Sequence, residues 1–252
     1  MIDALYALLV MFTLLWLASL WFTNASIVDI WWGPAFILAL AVYLRFAVPA
    51  HPRGWLILAA TTMWALRLAW HIGRRNVGHG EDRRYRVWRD EHGPRWWWRS
   101  YLQVFALQAV IAWLVSSPLY FAARGDAAFP SALDILGTLL FVAGLLFEAI
   151  ADAQLAAFTH DHGSRGRVMD RGLWRYSRHP NYFGEAVLWW GLGLIGASAT
   201  GGWKGLAGPA LMTFLLLRVS GVAMLERGLL KTRPGYADYV AHTSAFVPWW
   251  PR

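Results

Sequence analysis

Cysteine is absent from the 252 residues, which excludes a disulfide framework, thiolate metal ligation, an iron–sulfur cluster and a cysteine nucleophile, and leaves the redox compartment open. Charge is scarce: Asp, Glu, Lys and Arg together make up 15% of the chain, against about 25% in an average soluble domain. Metal-binding histidine spacing is missing as well. Of the eight histidines, only His160 and His162 form a close pair, and none belongs to HxxxH, HxxHH or HExxH, so no metal site is expected. No GxGxxG follows a strand-like run, which excludes a Rossmann-type nucleotide site. Repeats, heptads and long polar linkers are also lacking, so residues 1–252 read as one domain.

Apolar residues supply 58% of the chain, with 18 tryptophans and a mean hydropathy of +0.37. Runs of about 20 apolar residues, the length that crosses a bilayer core, lie at 4–22, 27–48, 55–73, 101–121, 132–157, 182–199 and 206–225. The expectation is an all-α integral membrane bundle of seven transmembrane helices. Gly33-Pro34 interrupts the second run, so its first part is expected to enter the membrane as a bent or loop-like segment. Trp21, Trp31 and Trp32, Trp96 to Trp98, Trp189 and Trp190, and Trp249 and Trp250 fall near the ends of runs, as interfacial aromatics do.

A net charge of +8 in a water-soluble protein would point to nucleic acid. Here the placement of the charges decides otherwise. The connection after the third span holds Arg74, Arg75, Arg83, Arg84, Arg86, Arg89, Arg95 and Arg99; that after the fifth holds Arg165, Arg167, Arg171, Arg175 and Arg178; the tail holds Arg227, Lys231, Arg233 and Arg252. The opposite face holds only Arg53, Arg124 and Lys204. The positive-inside rule then puts the N-terminus outside and the C-terminus in the cytoplasm, with membrane lipids rather than nucleic acid as the surroundings. Asp3 stands where a signal peptide would carry basic residues, so the first span is expected to remain as a helix.

Ionisable side chains within apolar helices cost about 3 kcal/mol each or more unless they face a protein interior or a wet cavity. Asp29, Arg67, His71, Glu148, Asp152, Arg218 and Glu226 are in or beside the spans. Glu148 and Asp152 stand four apart on one helix face. They read either as a buried ion network that orients helices or as a polar wall for a cofactor's ribose or amide. Segment 163–185, GSRGRVMDRGLWRYSRHPNYFGE, mixes arginines with Tyr176, His179, Asn181, Tyr182 and Glu185 at the start of the sixth span. A basic cluster there serves topology or lipid headgroups; the aromatic and amide groups among the arginines suit a polyphosphate ligand with ring and amide parts.

The run RGLWRYSRHPNYFGE (171–185), followed by ERGLLK, PGYADY and FVP within 226–248, resembles the C-terminal half of the steroid 5-alpha-reductase family, in particular its bacterial branch of membrane proteins. NASIVDIWWG (24–33), WALRLAWHI (64–72), GHGEDRRYRVWR (78–89) and FEAIADAQLAAF (147–158) resemble the same branch. RHPxYxG is shared with isoprenylcysteine and phospholipid methyltransferases, which use S-adenosylmethionine; Asn181 with Glu185, after acidic residues one turn apart, looks more like the reductases.

The resemblance implies a multi-pass protein, in a bacterial inner membrane, that reduces a conjugated C=C bond of a steroid-like or other lipophilic substrate with NADPH. It implies that Asp152, Arg171, Tyr176, Arg178, His179, Asn181, Tyr182 and Glu185 line the coenzyme pocket, completed by Glu226, Lys231 and Tyr236. The polar inventory adds Glu148, Arg165 and Arg167. Residues 132–252 are then the cofactor half and 1–121 the substrate side. Asp29 matches the position of the family's catalytic glutamate, and a desolvated carboxyl there is expected to keep its proton and donate a hydrogen bond. The family's partnering tyrosine falls on Trp64, so Arg67 or Tyr85 takes its place. A methyltransferase using S-adenosylmethionine and a non-enzymatic lipid-binding protein are the alternatives. No obligate protein partner is expected.

Overall fold

A computed structural model describes residues 1–45, 51–125, 127–164, 166–219 and 221–251, and the side chains of all of these except His162, Ala223, Met224, Arg227 and Lys231. All regular secondary structure among the described residues is helical, with no β-strand among them. The helices are α1 (Ile2–Trp21), α2 (Ile27–Arg45), α3 (Pro52–Asn76), α4 (Arg83–His92), α5 (Trp96–Ser100), α6 (Leu107–Val115), α7 (Ser117–Arg124), α8 (Ala132–His160), α9 (Pro180–Ala197), α10 (Ala207–Phe214), α11 (Val222–Thr232) and α12 (Tyr236–His242). They fall into two compact units, Met1–Ser131 with Ile195–Ala207, and Ala132–Leu194 with Gly208–Arg252.

In the first unit, α1 shows why the chain is a membrane protein. Its inner stripe is Ala4, Leu8, Phe12 and Leu15, all buried; its outer stripe, Tyr6, Val10, Leu14 and Leu17, is just as apolar yet exposed. Water does not tolerate such a face, whereas a bilayer does. Helices α1, α2, α3 and α8 are each long and apolar enough to cross a membrane, and a bent run through α4 to α7 makes a fifth candidate.

The bend in that run measures 43° and has a local cause. Pro118 at the start of α7 has no N–H for the preceding turn. Ser116 turns its hydroxyl back onto the Trp113 carbonyl at 2.8 Å and meets Tyr43 at 2.8 Å. The polar groups freed by the break are thereby satisfied inside the protein. A π-helical turn, Tyr101–Ala106, precedes α6, and a second, Leu215–Val219, follows α10.

Gly33-Pro34 does not interrupt α2, which runs through both residues, contrary to the loop-like entrance expected. Gly33 is there for packing: a Cβ on it would lie 2.6 Å from the Ala65 carbonyl oxygen, so α2 and α3 meet backbone to backbone. That close contact offsets the single hydrogen bond lost at Pro34. Trp189 and Trp190 are also displaced from the expected membrane interface, because α9 begins at Pro180 and puts them in its third turn. Trp189 is fully buried, and Trp190 donates to Thr213 at 3.1 Å.

In the second unit, α8 packs on α9 through glycines. A Cβ on Gly144 would fall 2.5 Å from the Leu188 nitrogen, and one on Gly184 would fall 2.6 Å from the Glu148 nitrogen. This seam lets the polar first turns of α9 lie directly against Glu148 and Asp152.

Candidate functional site

Each unit carries a polar cluster. In the first, segment 79–92 folds back onto the start of α2. Asp82 caps α4 by accepting from the Arg84 nitrogen at 2.9 Å, and its own N–H donates to Ser26 at 2.6 Å. Glu81 accepts from the Ala25 nitrogen at 2.8 Å and from both ends of the Arg89 fork at 2.7 and 2.9 Å. This clasp brings α4 over Asp29. Tyr85 donates its hydroxyl hydrogen to Oδ1 of Asp29 at 2.7 Å, and Arg84 Nη2 donates to Oδ2 at 3.0 Å.

Arg84 also holds Asp82 through Nε at 3.0 Å and Nη2 at 3.3 Å. Burial opposes the charge on Asp82, but the hydrogen bonds from Arg84, with the charges of Arg84 and Arg75, prevail and hold the carboxyl below the usual carboxylate range.

Of the three residues expected to act on a substrate, Asp29 and Tyr85 are therefore in contact. Asp29 is contacted on both oxygens, by Tyr85 on Oδ1 and by Arg84 on Oδ2. Arg67 is half-buried on α3, outside the bonds described here. Trp64, where the resembled family has a tyrosine, is buried edge-on against Phe36 at 5.5 Å.

The second cluster is built on the loop before α9. Gln154 on α8 accepts from the Leu173 nitrogen at 2.9 Å, and the Trp174 indole donates to the Ala151 carbonyl at 3.0 Å. These bonds dock the turn Gly172–Arg175 onto α8. Ser177 accepts from the His179 nitrogen at 3.1 Å and donates to the Phe246 carbonyl at 2.8 Å. Tyr239 on α12 donates to the Trp174 carbonyl. The tail lies along the same loop, with Arg178 N–H on Ser244 O at 2.8 Å and Trp249 N–H on Tyr176 O at 2.9 Å.

At its centre, Glu226 on α11 accepts from Arg178 Nε at 2.7 Å and from His179 Nε2 at 3.2 Å. Burial raises the Glu226 carboxyl, but the hydrogen bond and charge of Arg178, with His179, outweigh it and hold the group low. Burial, with the nearby Arg178 charge, lowers His179 against the pull of Glu226. The imidazole is thus neutral near pH 7, and since a carboxylate only accepts, Nε2 bears the proton. The His179 ring lies parallel to Tyr182, 5.6 Å between centroids. Tyr236 is pushed up to about 12 by burial and the Glu226 charge.

Asn181 donates to Asp152 at 3.1 Å, and its carbonyl oxygen accepts from the Tyr182 nitrogen at 3.0 Å. Glu148, Asp152 and Glu185 are all buried. Tyr176 packs edge-on against Trp250 at 5.5 Å. Arg178 is committed to the protein: besides Glu226, its Nη1 donates to the Val240 carbonyl at 3.1 Å and the Thr243 carbonyl at 2.5 Å. Arg167 and Arg171 are exposed, and Arg171 lines an open groove of about 630 Å³ with Arg175, Asp170, Tyr239 and His242. Arg165 and the side chain of Lys231 lie outside the described residues.

The structure thus brings together Asp152 with Asn181, and Arg178, His179, Tyr182 and Glu226, while Arg167 and Arg171 stand at the surface. Sequence reasoning missed Arg84, Glu81, Asp82, Gln154, Ser177 and Tyr239. In the sequence Arg84 is one charge among the eight of its connection, and its pairing with Asp29 spans 55 positions. No cluster of histidines and carboxylates suited to a metal occurs among the described residues.

A family model described as "Protein of unknown function (DUF1295)" matches residues 15–243. The chain belongs to this family. An uncharacterized protein of Schizosaccharomyces pombe is 30% identical over 214 residues, which cover 74% of this chain and 61% of that protein. The chain therefore spans less than two thirds of that relative's length. No solved structure matches it.

Proposed function

We propose that this DUF1295 protein is an NADPH-dependent reductase of a conjugated C=C bond in a steroid-like or other lipophilic substrate, working inside a membrane. One observation carries the reading: the RHPNYFGE segment, which resembles the steroid 5-alpha-reductases, forms a polar cluster with two buried carboxylates of α8 and the half-buried Glu226 of α11. A site for lipid headgroups needs exposed cations and has no use for the buried carboxylates Glu148, Asp152 and Glu185.

The donor set fits the coenzyme in kind. Asp152, Glu148 and Asn181 offer acceptors and a donor for ribose hydroxyls or a carboxamide, Tyr182 and His179 a ring face, and Arg167 and Arg171 exposed forks for phosphate oxygens. Arg178, Glu226 and Ser177 position the loop. When bound, NADPH would supply a hydride. Within the first unit, the Asp29, Arg84 and Tyr85 set offers polar groups suited to a substrate's carbonyl oxygen. Lipophilic substrates partition into the bilayer, so a membrane-embedded enzyme meets them where they dissolve.

The reading includes seven crossings, with the runs 182–199 and 206–225 added to the five candidates, the N-terminus outside and a bacterial inner membrane as the site. The test is thermal unfolding of the detergent-purified protein with NADPH. At 100 times its dissociation constant, a ligand adds about 2.7 kcal/mol, and a clear rise in Tm is expected. An unchanged Tm contradicts the reading, and a rise with S-adenosylhomocysteine alone makes the protein a methyltransferase.

A further inference from the structure

The Asp29 cluster contains two acids, a carboxyl and a phenol, and their polar atoms are engaged with each other and with Arg84. The single hydroxyl hydrogen of Tyr85 goes to Asp29 Oδ1 at 2.7 Å. Asp29 meets that hydroxyl on one oxygen and the Arg84 guanidinium on the other at 3.0 Å, so both of its oxygens are occupied within the cluster. Burial of Asp29, whose side chain is 16% exposed, works against its charge; the guanidinium and the phenol work for it. Asp82 and Arg75 are the other charges acting on it.

The donors left over belong to Arg84. Its Nε and Nη2 serve Asp82 and Asp29, while Nη1 makes no hydrogen bond among the described residues, on a side chain that is 39% exposed. Two carboxylates hold the planar group from one side and leave the two Nη1 hydrogens on the other. The guanidinium also lies 5.4 Å from the Tyr85 ring centroid, which further restricts its rotation.

We propose that Arg84, rather than Asp29 or Tyr85, is the catalytic residue that hydrogen-bonds the substrate's carbonyl oxygen through Nη1, with Asp29, Asp82 and Tyr85 as its positioning residues. The inference rests on the reductase reading and extends it to the substrate side. A guanidinium keeps its protons at any working pH, so it stabilises an oxyanion without transferring one. In the reaction, hydride adds to the β-carbon, the π electrons of the C=C bond move to give an enolate, and Arg84 holds the oxygen. The α-carbon then takes its proton from water, which leaves as hydroxide and restores the ketone.

The experiment compares binding of a 4-ene-3-keto steroid with that of its analogue lacking the keto oxygen, read by tryptophan quenching on the full chain in nanodiscs. Wild type should prefer the ketone by about tenfold or more, the scale of a hydrogen bond to a charged donor. Arg84→Met should erase that preference, and Tyr85→Phe should keep most of it. Arg84→Lys retains a cation beside Asp29 and so guards against a folding failure; lacking the second arm of the fork, it should also lose the preference. In turnover with NADPH, Arg84→Lys should lower kcat about 100-fold.

Retention of the ketone preference in both Arg84 variants, with its loss in Tyr85→Phe, would overturn the proposal and make the phenol the donor. Absence of any ketone preference in wild type would overturn it as well. A Tm rise with NADPH separates the two failures: if it persists, the reductase reading stands and only the role of Arg84 falls.

Discussion

His179 and Glu226 make the second cluster sensitive to acid. The folded state binds a proton on His179 less readily than the ordinary value of 6.5, because burial opposes the charged ring. The unfolded chain therefore takes up that proton first as the pH falls, and stability drops below about pH 6.5. Glu226, held beneath its ordinary value of 4.5 by Arg178, adds a loss of the same sign below that pH. Melting curves from pH 8 to pH 4 should show Tm falling in two stages, and His179→Asn should remove the upper one. Glu226→Gln replaces a charge-assisted bond to Arg178 by a neutral one and should cost about 1–3 kcal/mol in denaturant unfolding. The same change frees Arg178 only in part, since carbonyls of residues 240 and 243 still hold it.

Among the elements, the contact of α8 with α9 is the least tolerant of added volume. At Gly144 and Gly184 the neighbouring atoms are backbone, which cannot swing aside. Gly184→Ala should destabilise by about 1–3 kcal/mol and displace Asp152 from Asn181. Gly228→Ala in α11, where nothing lies within 4 Å, should be neutral or gain up to about 1 kcal/mol. Comparing the Tm of the two variants in one detergent checks this.

The elements also show what could be read in advance. Long apolar runs set the lengths of α1, α2, α3 and α8, because crossing a bilayer demands both length and an apolar face. Gly33-Pro34 misled, since a proline in a packed membrane helix loses one bond while a neighbouring glycine gains a close helix contact. The RHPNYFGE cluster was legible as a motif. Its partners Gln154, Tyr239 and Thr243 were not, for nothing in local spacing encodes which distant carbonyl a turn will meet. The Asp29 set was half legible: Asp29 and Tyr85 stood out as chemistry, while Arg84 was hidden among eight basic residues whose number alone carried the topology argument.

For the whole molecule, the absence of cysteine turns topology into a clean measurement. Single cysteines placed at the exposed positions Arg95 and Lys204 should react with a membrane-impermeant maleimide from opposite sides, Lys204→Cys in intact cells and Arg95→Cys only after permeabilisation. Labelling of both from one side would rule out the seven-crossing arrangement.

The central claim is that the polar cluster at the start of α9 holds a nicotinamide coenzyme, and NADPH titration of the nanodisc-embedded protein, followed by the coenzyme's fluorescence, tests it most directly. The account predicts saturable binding that Asn181→Ala or Asp152→Asn weakens about tenfold or more, with Tyr85→Phe unchanged. Binding that is absent from the wild type, or indifferent to both of those substitutions, would contradict it.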